Sequence, residues 1–262
     1  MRLQAEAIVS QTEALRQATE ALAAAAQAMV PPALPPEPPT DDNPRYDQLT
    51  VEVVKRVLGR EDSGVDVGAH AGDILEQMVA VAPDGRHYAF EPIPYLAEEL
   101  RRRFPDVQVH EVALSDAEGE ATFHHVVSNP SYSGLQRRRF DRPHENVMLT
   151  TVRTARLDDL LPADHAVRLL KIDVEGGELG VLRGAARTLA THRPVIVFEH
   201  GLGAADFYDT RPETLADLLA EHGYRINLLD RWLDGAPPID RTEFVRQFDD
   251  NENYYFIACP SA

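Results

Sequence analysis

Cysteine is nearly absent from this chain of 262 residues, which contains one, Cys259. A single thiol cannot close an internal disulfide, and one cysteine is too few for a cysteine-based metal site. Both exclusions favour the cytosol as the compartment of the protein.

Basic residues and long apolar runs are also scarce. The chain has 26 lysines and arginines against 43 acidic residues, a formal net charge of -17. This excess of negative charge opposes nonspecific binding to nucleic acid and to anionic membrane surfaces, so we expect no nucleic-acid partner. Glu6, Glu13 and Glu20 interrupt the N-terminal stretch. We therefore expect neither a signal-peptide core nor a membrane span.

The first 44 residues differ in composition from the rest. Residues 2–29 contain neither glycine nor proline, which predicts a helix over residues 1–30. Its apolar stripe, formed by Ile8, Leu15, Leu22 and Met29, would pack on its own domain or pair with a second subunit as a homodimer. Residues 31–44 are rich in proline and predict a semi-rigid linker. The rest of the chain, residues 45–262, is predicted to form one catalytic domain.

Beyond residue 45 the pattern predicts alternating strands and helices. Helices are expected over 49–58, 74–81, 94–104, 178–189 and 214–222, and strands over 64–67, 87–91, 107–113, 168–173, 194–199, 224–229 and 253–258. This alternation is typical of an α/β fold, a doubly wound and mostly parallel sheet with helices on both faces.

The run Val65-Asp66-Val67-Gly68-Ala69-His70-Ala71-Gly72-Asp73, followed by Glu91 at the end of the next strand, predicts a nucleoside-cofactor pocket. The third glycine typical of dinucleotide enzymes is missing. The carboxylates of Asp66 and Asp73 would repel a pyrophosphate but attract an ammonium and a sulfonium. The turn therefore favours S-adenosylmethionine over NAD.

Further motifs make the match more specific: Ala89-Phe90-Glu91-Pro92, Val112-Ala113-Leu114-Ser115-Asp116, Leu157-Asp158-Asp159-Leu160 and Leu170-Lys171-Ile172-Asp173-Val174-Glu175-Gly176-Gly177-Glu178. With these motifs, residues 60 to 200 resemble the FkbM-type methyltransferase family. The resemblance implies a Rossmann-like class I fold with a seven-stranded sheet whose last pair of strands is antiparallel. It also implies S-adenosylmethionine-dependent O-methylation of a sugar, glycolipid or polyketide-derived hydroxyl.

The expected cofactor contacts lie at the carboxyl ends of the strands, where open α/β sheets bind ligands. Glu91 would accept the ribose hydroxyls, while Ala113, Leu114 and Ser115 would contact adenine. The full predicted set is Asp66, Gly68, Ala69, His70, Gly72, Asp73, Glu91, Pro92, Ala113, Leu114, Ser115 and Asp173.

The expected chemistry lies at the ends of two neighbouring strands, at Asp173 and at Glu199-His200. Histidine titrates near neutrality, so His200 is our first candidate for the general base and His144 the second. Asp173, Glu199 and His200 could instead hold Mg²⁺, and the alternative is a metal-free site in which Glu199 hydrogen-bonds the acceptor. Glu178 is expected to be structural, at the start of a helix.

A polar stretch between the expected cofactor contacts and the expected catalytic residues predicts a substrate lid. The loop over residues 136–147 follows Ser128-Asn129-Pro130-Ser131-Tyr132-Ser133-Gly134-Leu135, whose hydroxyls, amide and aromatic ring suit a sugar. The sequence thus predicts an O-methyltransferase acting on a small-molecule or oligosaccharide acceptor. The alternatives are a methyltransferase for a nonsugar natural product, an NAD-binding oxidoreductase and a noncatalytic binding module.

Overall fold

A computed structural model of the protein describes residues 43–140 and 144–261. The predicted N-terminal helix, its contact with a second subunit and most of the proline-rich linker lie outside the described residues. Within the described residues, no helix combines the length and the apolar character needed to cross a membrane.

The helices and strands follow one another along the chain in the predicted alternation. They are α1 (Asn43–Val57), β1 (Gly64–Val67), α2 (Asp73–Val81), β2 (Tyr88–Phe90), α3 (Pro94–Arg103), β3 (Gln108–His110), β4 (Ala113–Leu114), β5 (Gly119–Val126), β6 (Val147–Ala155), α4 (Leu157–Leu160), β7 (Leu169–Ile172), α5 (Glu178–Gly184), α6 (Ala186–Thr191), β8 (Val195–Glu199), α7 (Pro212–Glu221), β9 (Tyr224–Leu228), α8 (Leu229–Leu233), α9 (Arg241–Asp249) and β10 (Tyr255–Pro260). Short 3-10 helices cover Pro130–Tyr132 and Ala205–Tyr208.

Seven strands form the main sheet in the order β3-β2-β1-β7-β8-β10-β9. The pairs from β3 to β8 are parallel, while β10 runs antiparallel to both β8 and β9. The predicted sheet, with its antiparallel last pair, is confirmed. The strand order reverses between β1 and β7, so the carboxyl ends of these two strands flank the crevice where ligands bind in such sheets.

Helices cover both faces of this sheet because neighbouring residues of its strands point in opposite directions. On β7, Leu170 and Ile172 pack in a cluster with Val181 of α5 and Phe244 of α9, whereas Leu169 packs in a second cluster. That second cluster includes residues of α1, α2 and α8: Val53, Val54, Met78 and Leu229. A polar residue on one of these strands therefore packs against different helices depending on the face of the sheet on which it lies.

The structure corrects three predicted elements. The strand expected over 107–113 is divided into β3 and β4, and β4 belongs to a second sheet of order β4-β6-β5. The hairpin of β5 and β6 in that sheet was not predicted. The helix expected over 178–189 is divided after Gly184, where a Cβ would lie 2.2 Å from the backbone oxygen of Ser115. This close approach leaves no room for a continuous helix with ordinary side chains.

Helix α9 was also missed, although its sequence contains a start signal. Asp240 precedes the helix, and its side chain accepts a hydrogen bond from the backbone N–H of Glu243 at 2.8 Å. Aspartate followed three residues later by glutamate is the spacing of a capping box. The helix matters for the site because it packs on the face opposite α1.

Candidate active site

The glycine turn after β1 depends on close backbone packing. Gly68 has a φ of 74°, and a Cβ there would lie 1.8 Å from the backbone oxygen of Asp173. Gly72 has a φ of 87°, and a Cβ there would lie 2.6 Å from Leu100. No side chain fits at either position without displacing its neighbours. The predicted glycines therefore let the turn pass beneath the crevice.

Glu91 closes this turn from β2. One carboxylate oxygen accepts the backbone N–H of His70 at 2.8 Å, and the other accepts that of Ile93 at 2.9 Å. Burial raises the pKa of Glu91 to about 7, against the opposing effect of these two hydrogen bonds. Each oxygen retains a lone pair that a ribose hydroxyl could use. Glu91 thus fits the predicted role, and Pro92 follows it directly in the chain.

Asp66 has a partner that the sequence analysis did not assign. Its side chain is 1% exposed, and Lys171, its cross-strand neighbour on β7, places Nζ 3.1 Å from Oδ1. Burial alone would lower the pKa of Lys171, but the charges of Asp66 and Asp173 outweigh it and raise that pKa. Asp66 is therefore the buried counter-ion of Lys171. Its predicted attraction for a cofactor cation is corrected, because Lys171 already neutralises the charge.

The remaining predicted cofactor residues lie around the same crevice. Ala113 and Leu114 are buried on β4, and the backbone N–H of Ser115 donates to Ala155 at 2.9 Å. Ala69 is buried in the turn, whereas Asp73 is exposed at the first position of α2. The contact predicted between Asp73 and the cofactor stays a prediction, and water would screen the charge of this exposed carboxylate.

A group of carboxylates lies beyond β7 and β8. Oxygens of Asp173, Glu175 and Glu199 lie within 4.8 Å of one another, and we call these three residues the acidic cluster. Asp173 contacts Lys171 at 3.6 Å and accepts a hydrogen bond from the hydroxyl of Tyr255 at 2.5 Å. The predicted convergence of Asp173 and Glu199 is therefore present, with Glu175 as a third member.

One carboxyl group of the acidic cluster, that of Glu199, is buried away from water. Burial raises the pKa of Glu199 well above its ordinary value, and the negative charges of Asp173 and Glu178 raise it further. One Glu199 oxygen, Oε2, is buried and has no hydrogen-bond partner in residues 43–140 and 144–261. Glu199 therefore keeps a proton to higher pH than an exposed glutamate and can exchange it with Asp173.

Glu178 is structural in the sense that the sequence predicts. It is fully buried as the first residue of α5, and its Oε1 accepts the backbone N–H groups of Val174 at 3.2 Å and Gly176 at 3.0 Å. Burial raises its pKa to about 7. Glu178 thus fixes the backbone that carries Glu175.

The segment after β5 covers the acidic cluster, as expected of a lid. Arg138 forms an ion pair with Glu175, and both side chains are nearly buried. Its guanidinium lies 4.4 Å from the ring centroid of Tyr132. The backbone N–H of Gln136 donates to the hydroxyl of Tyr208 at 3.0 Å. Arg138 is thus a functional candidate that the sequence analysis did not identify.

The structure places His200 away from the acidic cluster. Glu199 points toward the α1 face, so His200, the next residue, points to the α9 face. Its ring is fully buried and lies 4.8 Å from that of Phe248, and neither nitrogen has a hydrogen-bond partner within the described part of the chain. Burial lowers its pKa to about 3. The prediction that His200 is the base or a metal ligand is therefore corrected.

The other two predicted histidines have different settings. His70 lies in the turn with a φ of 46°, and burial lowers its pKa. His144 is exposed at the start of the segment that leads into β6. Neither lies in the acidic cluster. Sequence reasoning missed Tyr255 altogether, and no local motif surrounds it that could have indicated its role.

Comparison with known proteins agrees with this site. A family model described as the methyltransferase FkbM domain matches residues 66–226. The chain is 30% identical over 239 residues to the AMB antimetabolite synthetase AmbE of Pseudomonas aeruginosa, an alignment that covers 73% of this chain. The chain spans only 11% of the length of that relative.

Solved methyltransferase structures align with the chain at low sequence identity. The precorrin-6y C5,15-methyltransferase of Geobacter metallireducens aligns over 83% of this chain and 88% of its own, with 16% identity and a TM-score of 0.43. The O-methyltransferase TomG of Streptomyces achromogenes, solved with S-adenosylmethionine, aligns over 85% of this chain and 82% of its own, with 12% identity and a TM-score of 0.38. Because the family match spans more than half of the chain, the protein belongs to the methyltransferase FkbM domain family.

Proposed function

We propose that the protein transfers a methyl group to a hydroxyl of a saccharide or glycosylated metabolite. The observation that supports this most is the pairing of Asp173 with Glu199 at the carboxyl ends of neighbouring strands, beside the glycine turn. Methylation of an alcohol requires a group that removes the hydroxyl proton. Two adjacent carboxyls that compete for one proton can accept that proton as the oxygen attacks.

The cofactor fits the turn and Glu91. S-adenosylmethionine supplies, when bound, the methyl group on a sulfonium centre. Glu91 is buried at the strand end with free lone pairs on both oxygens, so it can hold the ribose diol. Gly68 and Gly72 keep side chains out of the floor of the crevice. Asp173 follows the strand next to β1 and lies between the turn and the acceptor side.

The reaction is a displacement in which the acceptor oxygen forms a bond to the methyl carbon while the carbon–sulfur bond breaks. The hydroxyl proton passes to the Asp173–Glu199 pair. Burial raises the pKa of Glu199, so its ionised carboxylate is a stronger base than that of an exposed glutamate. Arg138 limits the repulsion that a second charge in the cluster would create.

A divalent cation is the alternative way to activate the hydroxyl. Asp173, Glu175 and Glu199 offer oxygen atoms of the kind that Mg²⁺ prefers. Arg138 already neutralises Glu175, and for this reason we favour proton transfer without a metal. Activity that is lost in EDTA and restored by Mg²⁺ would instead support the cation.

The residues of the lid are the basis for proposing a saccharide as the acceptor. Exposed serines and Asn129 precede the aromatic pair of Tyr132 and Phe140, a combination that suits the hydroxyls and apolar face of a sugar. A nonsugar natural product is the second candidate, because AmbE is named as an antimetabolite synthetase.

The test uses labelled S-adenosylmethionine with two panels of acceptors, methyl glycosides of hexoses and deoxyhexoses in one and hydroxylated polyketides and hydroxyamino acids in the other. We expect label in the glycosides. Label only in the second panel would move the proposal to its alternative. A thermal shift with S-adenosylhomocysteine, and none with NADH, is the control for cofactor choice.

A further inference from the structure

Tyr255 joins the closing strand to the catalytic strand. It begins β10, lies opposite Glu199 in the strand register, and donates its hydroxyl to Oδ2 of Asp173 at 2.5 Å. Its ring is buried and stacks on that of Tyr46 of α1, with centroids 5.3 Å apart. Two strands and a helix therefore fix the position of this hydroxyl.

Lys171 reaches the same oxygen from the other side. Its Nζ lies 3.6 Å from Oδ2 of Asp173, 3.1 Å from Asp66 and 2.8 Å from the backbone oxygen of Gly68. Neither the contact from Lys171 nor that from Tyr255 uses Oδ1. The Asp173 side chain is still 28% exposed. One oxygen is therefore held from the protein side, while the carboxyl group stays open to the crevice.

We propose that Tyr255 is a positioning residue, which together with Lys171 holds Oδ2 of Asp173 so that Oδ1 meets the acceptor hydroxyl. This inference rests on the proposed function, in which Asp173 takes part in accepting the proton. A carboxylate free to rotate would spend much of its time with neither oxygen aligned, and misplacement of this kind slows a reaction without weakening binding.

The simpler role for Tyr255 is to fill space in the core. Tyr255→Phe separates the two roles, because it keeps the ring and its stacking on Tyr46 and removes only the hydroxyl. Tyr224→Phe is the matched control. Tyr224 is buried at the start of β9, across from Pro260 at the far end of β10, and its hydroxyl has no hydrogen-bond partner among the described residues.

The first measurement is infrared difference spectroscopy of the full-length protein without acceptor. The carboxyl band that disappears in Asp173→Asn is assigned to Asp173. We expect this band to shift in Tyr255→Phe and to stay unchanged in Tyr224→Phe. An unshifted band in Tyr255→Phe would overturn the proposal, whatever the acceptor proves to be.

The second measurement is steady-state turnover with the glycoside that the acceptor panel identifies. For Tyr255→Phe we expect kcat to fall about ten- to a hundredfold, as for loss of a hydrogen bond to a charged group, with KM and the Kd of S-adenosylhomocysteine within about threefold. Replacing Tyr255 by 4-aminophenylalanine, which keeps an N–H donor at the ring tip, should restore part of kcat.

The outcomes separate this inference from the proposed function. A normal kcat in Tyr255→Phe, with Asp173→Asn inactive, overturns the positioning role and leaves the proposed function standing. A methylated acceptor found only outside the glycosides changes the substrate, and the same kinetic comparison is then made with that acceptor. If no acceptor is methylated, the proposed function fails, and the infrared band alone decides whether Tyr255 holds Asp173.

Discussion

At the glycine turn, the groups that complete the site come from one stretch of chain between β1 and α3, whereas the acidic cluster draws its partners from segments far apart in sequence. Glu91 accepts from His70 and Ile93, which lie 21 and 2 residues away. Asp173 accepts from Tyr255, which lies 82 residues away. Local backbone geometry thus builds the cofactor side, and tertiary packing builds the transfer side.

The two sides also differ in charge. The turn side contains two buried carboxyls, Glu91 and Asp66, and Lys171 neutralises the second. The transfer side combines the acidic cluster and Glu178 with the cation Arg138. Buried charges interact strongly because little water screens them. Changes on the transfer side should therefore affect rate and pH dependence, and changes on the cofactor side should mainly affect binding.

The largest effect should follow removal of the proposed base. For Asp173→Asn we expect kcat to fall by about 10² to 10⁴, since a positioned general base typically contributes that much. The affinity for S-adenosylhomocysteine should change far less. Steady-state kinetics and calorimetry check this, with the exposed Asp106→Asn as the control. If the affinity falls as far as the rate, the division into two sides is wrong.

The next effect concerns stability. The pKa of Glu178 is raised from 4.5 to about 7, so between these values the folded state binds more protons than the unfolded state, and stability falls as pH rises. Glu178→Gln keeps the accepting oxygen and removes the titration. The variant should therefore not show the fall in the free energy of unfolding, at most roughly 3 kcal/mol, that Glu178 causes between pH 4.5 and about 7.

Urea denaturation at pH 4.5 and pH 7 measures this difference, with exposed Glu221→Gln as the control. Part of the slope should remain in Glu178→Gln, because Glu91 has a pKa raised in the same direction. An identical slope in wild type and Glu178→Gln would show that Glu178 is charged throughout, against the burial observed for it.

A smaller effect is expected on the cofactor side. Glu91→Gln removes the charge that would accept the ribose hydroxyls and should weaken S-adenosylhomocysteine binding about tenfold or more, while kcat at saturating cofactor changes little. Calorimetry tests the affinity. Unchanged affinity with an intact fold would remove the ribose assignment.

The smallest effect should come from the lid histidine. His144 is exposed and lies outside the acidic cluster, so His144→Ala should leave kcat within about twofold, as is usual for a surface change. Inactivity of this variant, with Asp173→Asn active, would place the base in the lid and reverse the comparison between the two sides.

Local sequence predicted the glycine turn and the place of Glu91 because both depend on short motifs. Gly68 and Gly72 are required by positive φ angles and close contacts, and Glu91 ends the next strand of the pattern. His200 shows where such reasoning fails. His200 does follow a strand, as predicted. Successive side chains point to opposite faces of a sheet, and because Glu199 faces the site, the ring of His200 packs against α9.

The amino-acid sequence by itself determined the family, the strands of the main sheet, and the positions of Glu91, Asp173 and Glu199, since each depends on a short motif or on an apolar run. Only the tertiary structure decided that Lys171 neutralises Asp66, that Arg138 pairs with Glu175, and that Tyr255 reaches Asp173. These contacts join residues far apart along the chain, and their strength depends on burial, which exists only once the sheet and its helices have packed.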